Sequence, residues 1–488
     1  MCSLKTSARI VLCAILLFGL IIELATVFEL ASIFYPSVAL QMVSDIEAGF
    51  FLLLGPLSPT LIVAVFSIPF AQFALWEIFR KTKETRWEVT LKPVRLFFTR
   101  SKAALRSQAE AFSSSLKMPR LLLGVAVVSS IFLTTLPYRP EVDPSGSLVG
   151  VDSPQYANWL GQMLARTPVD AIVYAFSVPA MGSRPLFLLP LYAVAILGSI
   201  QPQTLIQYVP AILGPLLCIS TYLFVWSGQR SERIAGLVSI LAAFSFNASV
   251  GMWGGYYANW FALSEGYIFF SVLLRWDHTI LSWKYWALMA LSLTLIFTHP
   301  WTWAVIIATT LVFLGSMTRL PKARFRLAVF SIIAIVGLVG DILKSVLFGP
   351  TTLAADIATK SPIFGLSELI GFWPNVMSAM RDYYGGLLGN SVILVFAAFG
   401  MLSLRFGDKF ERLLMAWVVT SAIPFALFAS FHQTRLIYDL PIPVLAAFGL
   451  LMLTLKLGSK MPRLSYLFLA LAVLSQASYG LRAMYQLP

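Results

Sequence analysis

The chain has little charge, little sulfur and almost no histidine. Charged residues make up 12% of its 488 positions, against 58% hydrophobic, and the mean hydropathy is +0.82. So few charges cannot cover the surface of a water-soluble domain of this size. Short alternating strands are absent too, which excludes a transmembrane barrel. The three cysteines, Cys2, Cys13 and Cys218, have no ligand spacing and form no disulfide framework. There is no low-complexity tract, no inverted internal repeat of the kind many transporters carry, and no soluble domain after the last apolar run. The net charge of +13 does not point to nucleic acid. Most of the Lys and Arg fall in short loops between apolar runs, where they set sidedness.

What is present is a series of apolar runs, most of them near the length needed to cross a bilayer as helix. They predict an all-α, polytopic transmembrane bundle of about 13 spans. These lie near 10–35, 50–76, 120–137, 205–227, 234–250, 257–275, 285–298, 302–318, 327–348, 390–404, 412–430, 436–455 and 464–481. Lys5 and Arg9 before the first run resemble a signal peptide, but the run is too long for one and reads as a retained anchor. Residues 1–76 then form a two-span N-terminal extension, 77–119 a linker, and 120–488 the main domain. The linker region carries eleven basic residues between Arg80 and Arg120 against four glutamates. That bias places it, and the N-terminus, in the cytoplasm, and suits contact with anionic lipid.

Span 120–137 therefore runs outward. The polar, turn-rich stretch Tyr138–Arg166 is the first large external loop. Asp143-Pro144-Ser145-Gly146 reads as a turn. Asp152-Ser153-Pro154 reads as a helix start, because proline suits the first turn, and Trp159, Leu160, Met163 and Leu164 give that helix an apolar side. It is expected to lie parallel to the membrane. The runs 171–181 and 185–200, the latter holding Pro185 and Pro190, read either as surface or re-entrant helices or as a spanning pair.

The same topology sorts the polar residues. Asp143, Asp152, Arg184, His299, His432 and Arg435 all reach the external boundary, whereas His278 falls in a cytoplasmic loop. Polar groups at membrane depth are costly and tend to face a cavity. A carboxylate can take the proton of an acceptor hydroxyl, and arginine with histidine can neutralise a leaving phosphate. Plainer roles exist for each. Asp152 can be an N-cap, His299 a cap for span 285–298, Arg435 a snorkelling anchor, and Glu265 a residue facing the bundle interior. Asn247-Ala248-Ser249, near the outer end of its span, has the form of a glycosylation acceptor.

Asp152-Ser153-Pro154-Gln155-Tyr156 in a first external loop, Arg184-Pro185-Leu186 after it, His299-Pro300 after a later outward helix, and the late segment Arg435–Pro443 together resemble the GT-C superfamily of integral membrane glycosyltransferases. The resemblance covers roughly 120–455. It implies inverting transfer of a sugar from a polyprenyl- or dolichyl-phosphate donor at the external face, to a glycan, lipid or protein acceptor. Asp152 would be the base, with Asp143 as a second candidate beside Glu141. Arg435 would grip the donor phosphate with His299 or His432, Arg184 would join that set, and Tyr156 would shape the acceptor side. The oligosaccharyltransferase branch has a soluble C-terminal domain and a Trp-Trp-Asp motif. This chain has neither, and Trp253-Gly254-Gly255-Tyr256-Tyr257 is only an echo of that motif. Loop 349–389 offers Asp356, Glu368 and Asp382 but no tidy second acidic motif. These departures favour a mannosyltransferase-like transferase of single sugars. A divalent metal, Mg or Mn, is compatible with the family, but a lone carboxylate makes a poor site for one.

Two other classes fit parts of the pattern. One is a transporter or flippase of lipid-linked sugars, against which stand the missing inverted repeat and the few deep charges, Glu23 and Glu265 being the exceptions. The other is an assembly subunit docked through the basic linker. An archaeal or bacterial plasma membrane suits the chain.

Overall fold

The computed structural model describes residues 119–177, 184–276, 279–317, 323–349, 391–404, 407–425, 438–458 and 462–485. The first two expected spans, the basic linker, His278, loop 349–389, His432 and Arg435 lie outside the described residues.

The described secondary-structure elements are all helices, and no described residue lies in a strand. In chain order the helices are α1 (Pro119–Thr135), α2 (Ser153–Leu164), α3 (Pro168–Ser177), α4 (Pro185–Gly198), α5 (Pro202–Gln229), α6 (Glu232–Ala243), α7 (Phe246–Trp253) and α8 (Tyr257–Arg275). Then follow α9 (Trp283–Thr298), α10 (Pro300–Gly315), α11 (Ala323–Phe348), α12 (Ser391–Ser403), α13 (Lys409–Phe425), α14 (Ile442–Gly458) and α15 (Pro462–Tyr485). Proline sits in the first turn of α2, α4, α5 and α10, where its missing N–H costs nothing.

Four helical stretches are long and apolar enough to cross a membrane: Arg120–Tyr138, Pro202–Gln229, Glu232–Trp253 and Arg324–Phe348. Two of them turn bare apolar stripes outward. Val125, Val128 and Phe132 on α1, and Ile335, Leu338, Ile342 and Val346 on α11, are exposed. A bilayer covers such stripes without cost, whereas water does not.

The expected runs appear as helices α1, α5, α8, α9, α10, α11, α12 and α15 to within a few residues, and α14 starts six residues later than expected, but among the described residues only the four stretches above are long and apolar enough to cross a membrane. The run 234–250 differs, because it is broken at Phe244–Ser245 into α6 and α7. The break frees a backbone carbonyl, and Gln476 Nε2 on α15 donates to Phe244 O at 2.6 Å. That bond replaces the helical one, which is how a broken helix persists away from water. The runs 171–181 and 185–200 appear as α3, of 10 residues, and α4, of 14. At ~1.5 Å per residue neither reaches the ~30 Å of a bilayer core.

Helices α1, α5 and α6 pack into one three-helix unit around Ala126, Cys218, Ile240 and Ala243. Aromatic rings fill the space between α5, α8 and α13, where Phe224, Tyr267, Phe270 and Trp417 meet at centroid distances of 4.8–6.1 Å. Helices α12 and α14 touch backbone to backbone. A Cβ on Gly400 would lie 1.8 Å from Leu445 O, and one on Gly449 would lie 1.9 Å from Phe396 O. Small residues allow such close crossings where no water drives helices together.

Candidate functional site

Asp152 lies at a junction between two loops. Val151 N donates to Trp253 O (3.0 Å) and Asp152 N donates to Gly254 O (3.2 Å), so residues 151–152 are laid along the turn joining α7 to α8. The sequence permits this because two glycines face each other there. Gly150 has φ +103°, and a Cβ on it would lie 2.2 Å from Met252 O. Gly255 has φ +63°, and its Cβ would lie 2.8 Å from Asp152 N. Both the backbone angles and the space exclude a side chain. Asp152 occupies the N-cap position of α2, with αR backbone angles and no side-chain bond to the helix start. Its carboxylate, 5% exposed, is therefore not spent on capping.

The first turn of α2 carries the next members. Tyr156 stacks on Tyr257, the first residue of α8, at 5.8 Å and 23°. Phe187 of α4 meets it edge-on at 5.2 Å. Ser153 Oγ donates to Val149 O at 2.6 Å and lies 3.0 Å from Tyr257 Oη. Arg184, at the N-cap of α4 and 5% exposed, donates from Nη1 to Tyr156 Oη, with its guanidinium 5.6 Å from the Tyr156 ring centre. Asp152, Tyr156 and Arg184 thus belong to one connected structure. Trp159, Leu160 and Met163 form the buried side of α2, as the sequence pattern predicts, with Leu164 half-buried.

Asp143 serves a different purpose. Ser145 N (3.0 Å) and Ser145 Oγ (2.5 Å) donate to its Oδ1, and Ser147 Oγ (3.2 Å) donates to its Oδ2. These donors, the Ser145 hydroxyl first, hold the carboxyl below its ordinary value of 3.8. A carboxylate so well satisfied as an anion is a weak base. It builds the turn expected at Asp143–Gly146. Glu141 is exposed.

His299 connects α9 to α10 and is 3% exposed. Its Nδ1 accepts from Thr302 N at 3.2 Å. His299 thus caps both helices: its side chain starts α10, and its backbone N–H donates to Leu295 O at 2.8 Å and closes span 285–298, as expected. A nitrogen that accepts this bond carries no proton, so the neutral ring keeps its proton on Nε2. Thr302 Oγ1 in turn donates to Asn259 Oδ1, two residues beyond Tyr257 on α8. The first turn of α8 therefore joins the Asp152 cluster on one side to the His299 cluster on the other.

The late segment reaches the same place. Tyr438, three residues after Arg435, is fully buried and bonded to Asn247 of α7. Its ring also meets Tyr256 edge-on at 5.8 Å. Asn247 is 1% exposed, so the tripeptide read as a glycosylation acceptor is a packing element.

Sequence reasoning missed Tyr257, Asn259 and Tyr438 as members, although the Gly-Gly-Tyr-Tyr run marked the turn that carries Tyr257. It also passed over Asp341 and Lys344 on α11. These are buried and 3.3 Å apart, and two charges three positions apart inside a long apolar run were a legible signal. Among the described residues no three His, Cys, Asp or Glu side chains gather as metal ligands. The described carboxylates therefore do not build a divalent site around Asp152. No family model matches this chain, and no curated protein matches it.

Proposed function

We propose that the chain is a polytopic membrane glycosyltransferase of GT-C type, with about 13 spans, acting at the external face of an archaeal or bacterial plasma membrane. It moves a sugar from a polyprenyl-phosphate donor to an acceptor hydroxyl, with inversion at the anomeric carbon. The observation that carries this reading is the placing of Asp152. A buried carboxylate, free of a capping role, is pinned by its backbone to the turn on which the His299 and Tyr438 segments also converge.

In this reading Asp152 accepts the proton of the acceptor hydroxyl as the acceptor oxygen bonds to the anomeric carbon. The bond from that carbon to the phosphate oxygen breaks, and polyprenyl phosphate leaves with the electron pair. Arg184 supplies positive charge and His299 a hydrogen bond from Nε2 toward the leaving phosphate, and Arg435 is assigned to the donor phosphate by resemblance. Tyr156, fixed by Arg184 and Tyr257, shapes the acceptor side.

The test is transfer from a radiolabelled polyprenyl-phosphate hexose to a panel of acceptors, by the protein and its Asp152→Asn variant. Transfer lost in the variant, with donor binding kept, supports the assignment. Transfer kept in the variant removes Asp152 from the role of base. The transporter reading gains one observation, the Asp341–Lys344 pair in a span-length helix. It requires lipid-linked sugar to cross vesicles with no transfer to any acceptor.

A further inference from the structure

Lysine and arginine are costly to bury in a membrane, and where they occur they face a cavity or a partner. Among the described residues two such side chains are buried, Arg184 at 5% and Lys344 at 3% exposure. Arg184 belongs to the Tyr156 cluster. Lys344 belongs to α11, whose buried stripe runs Phe330, Ile333, Ala334, Asp341, Lys344 while Leu338, Ile342, Leu343 and Leu347 face outward.

The neighbours of that stripe fix the height of Lys344. A Cβ on Gly337 would lie 2.6 Å from the Trp303 ring, and one on Gly340 would lie 3.4 Å from Phe297. One turn beyond Lys344, Phe348 stacks on Phe176 at 4.9 Å, and Phe176 meets Phe297 at 6.1 Å. Lys344 is thus level with the Thr298–Pro300 connection that carries His299. It lies four residues from the end of α11, ~6 Å along the axis at ~1.5 Å per residue.

Its ammonium is held but not satisfied. Nζ is 3.3 Å from Asp341 Oδ1 and reaches no second acceptor among the described residues. An ammonium has three donors. A buried pair of this kind is a poor source of stability, since apolar side chains of similar volume serve as well or better. The geometry instead suits a ligand that brings oxygen acceptors and negative charge to this depth.

We propose that Lys344 is a phosphate-binding residue for the lipid-linked donor, held by Asp341 until the donor phosphate engages its ammonium. The proposal rests on the lipid-phosphate reading above and adds a cation from a helix that the resemblance does not point to.

The experiment measures binding of a polyprenyl monophosphate and of the polyprenol of equal chain length to the full chain in detergent. The variants are Lys344→Met, Asp341→Asn and the double substitution, which removes both charges and leaves none unpaired. The wild type should prefer the phosphate lipid. Lys344→Met and the double variant should lose about tenfold in Kd for the phosphate lipid, as expected for a lost charge-assisted contact, with polyprenol binding unchanged. Asp341→Asn should bind the phosphate lipid at least as tightly as the wild type. A folded double variant that binds the phosphate lipid as well as the wild type overturns the proposal and leaves the donor reading standing. A double variant that loses polyprenol equally marks the pair as structural and also overturns it. A wild type that does not distinguish the two lipids removes the donor reading itself.

Discussion

Asn247 and Tyr438, 191 positions apart, exchange two hydrogen bonds: Asn247 Nδ2 donates to Tyr438 O and Tyr438 Oη donates to Asn247 O, both at 2.7 Å. Each residue satisfies the other's backbone carbonyl in a buried place. The pair ties the start of the late segment to α7, and through α7 to the turn under Asp152. A local break in one apolar run thereby becomes the anchor for a segment far along the chain.

Removing either half should therefore loosen the site. Asn247→Ala leaves the Tyr438 carbonyl without its amide donor, and Tyr438→Phe leaves the Asn247 carbonyl without its hydroxyl donor. Each should cost about 1–3 kcal/mol, the penalty for a buried acceptor left unmade. Thermal unfolding in detergent checks this. A midpoint unchanged in both variants would mean that the carbonyls find other donors.

The same burial predicts that Asn247 carries no glycan. The amide nitrogen donates to Tyr438 O and the residue is 1% exposed, so an oligosaccharide cannot be seated on it in the folded chain. Expression in a glycosylating host should give a protein whose mass at the Asn247–Ser249 peptide is unmodified. A glycan found there would contradict the packing of α7.

Much of the helical architecture was legible in the sequence, because apolar runs of span length and the proline at helix starts are strong local signals. The amphipathic helix after Asp152 was legible for the same reason. The break between α6 and α7 was not, since it depends on Gln476 from α15 meeting Phe244 O, a contact that no local pattern encodes. Within the site, residue type pointed to Asp152, Tyr156 and Arg184 together. It could not separate Asp152 from Asp143, because the difference lies in their surroundings: Asp143 is held in a turn by Ser145 and Ser147, and Asp152 is laid against the turn between α7 and α8. The aromatic members, Tyr257 and Tyr438, look like ordinary membrane residues until their hydroxyl partners are known.

Asp143 should make stability depend on pH in a defined sense. Its carboxyl is held below the ordinary value of 3.8 by the Ser145 and Ser147 donors, so the folded state favours the anion. A depressed folded value contributes stability that is present above the unfolded value and is lost as pH falls through the folded one. The unfolding midpoint of the wild type should exceed that of Asp143→Asn near pH 6, and the gap should close below about pH 4. A gap that stays constant from pH 6 to pH 3 would show that the turn does not depend on the charge.

Tyr156 and Arg184 should prove to be coupled rather than independent. The guanidinium donates to the phenol oxygen and lies beside its ring, and both groups are buried. Tyr156→Phe leaves a buried cation short of an acceptor, and Arg184→Met leaves a buried hydroxyl short of a donor, so each single change is costly. The double variant removes this donor and this acceptor together. The sum of the two single effects on unfolding free energy should then exceed that of the double variant by about 0.5–3 kcal/mol, the range for groups in one network. Tyr156 remains stacked on Tyr257 in every case, because Phe keeps the ring, so the cycle isolates the polar contact from the packing. Strict additivity would mean that Arg184 finds its acceptor elsewhere, and that Tyr156 owes its position to the rings of Tyr257 and Phe187 alone.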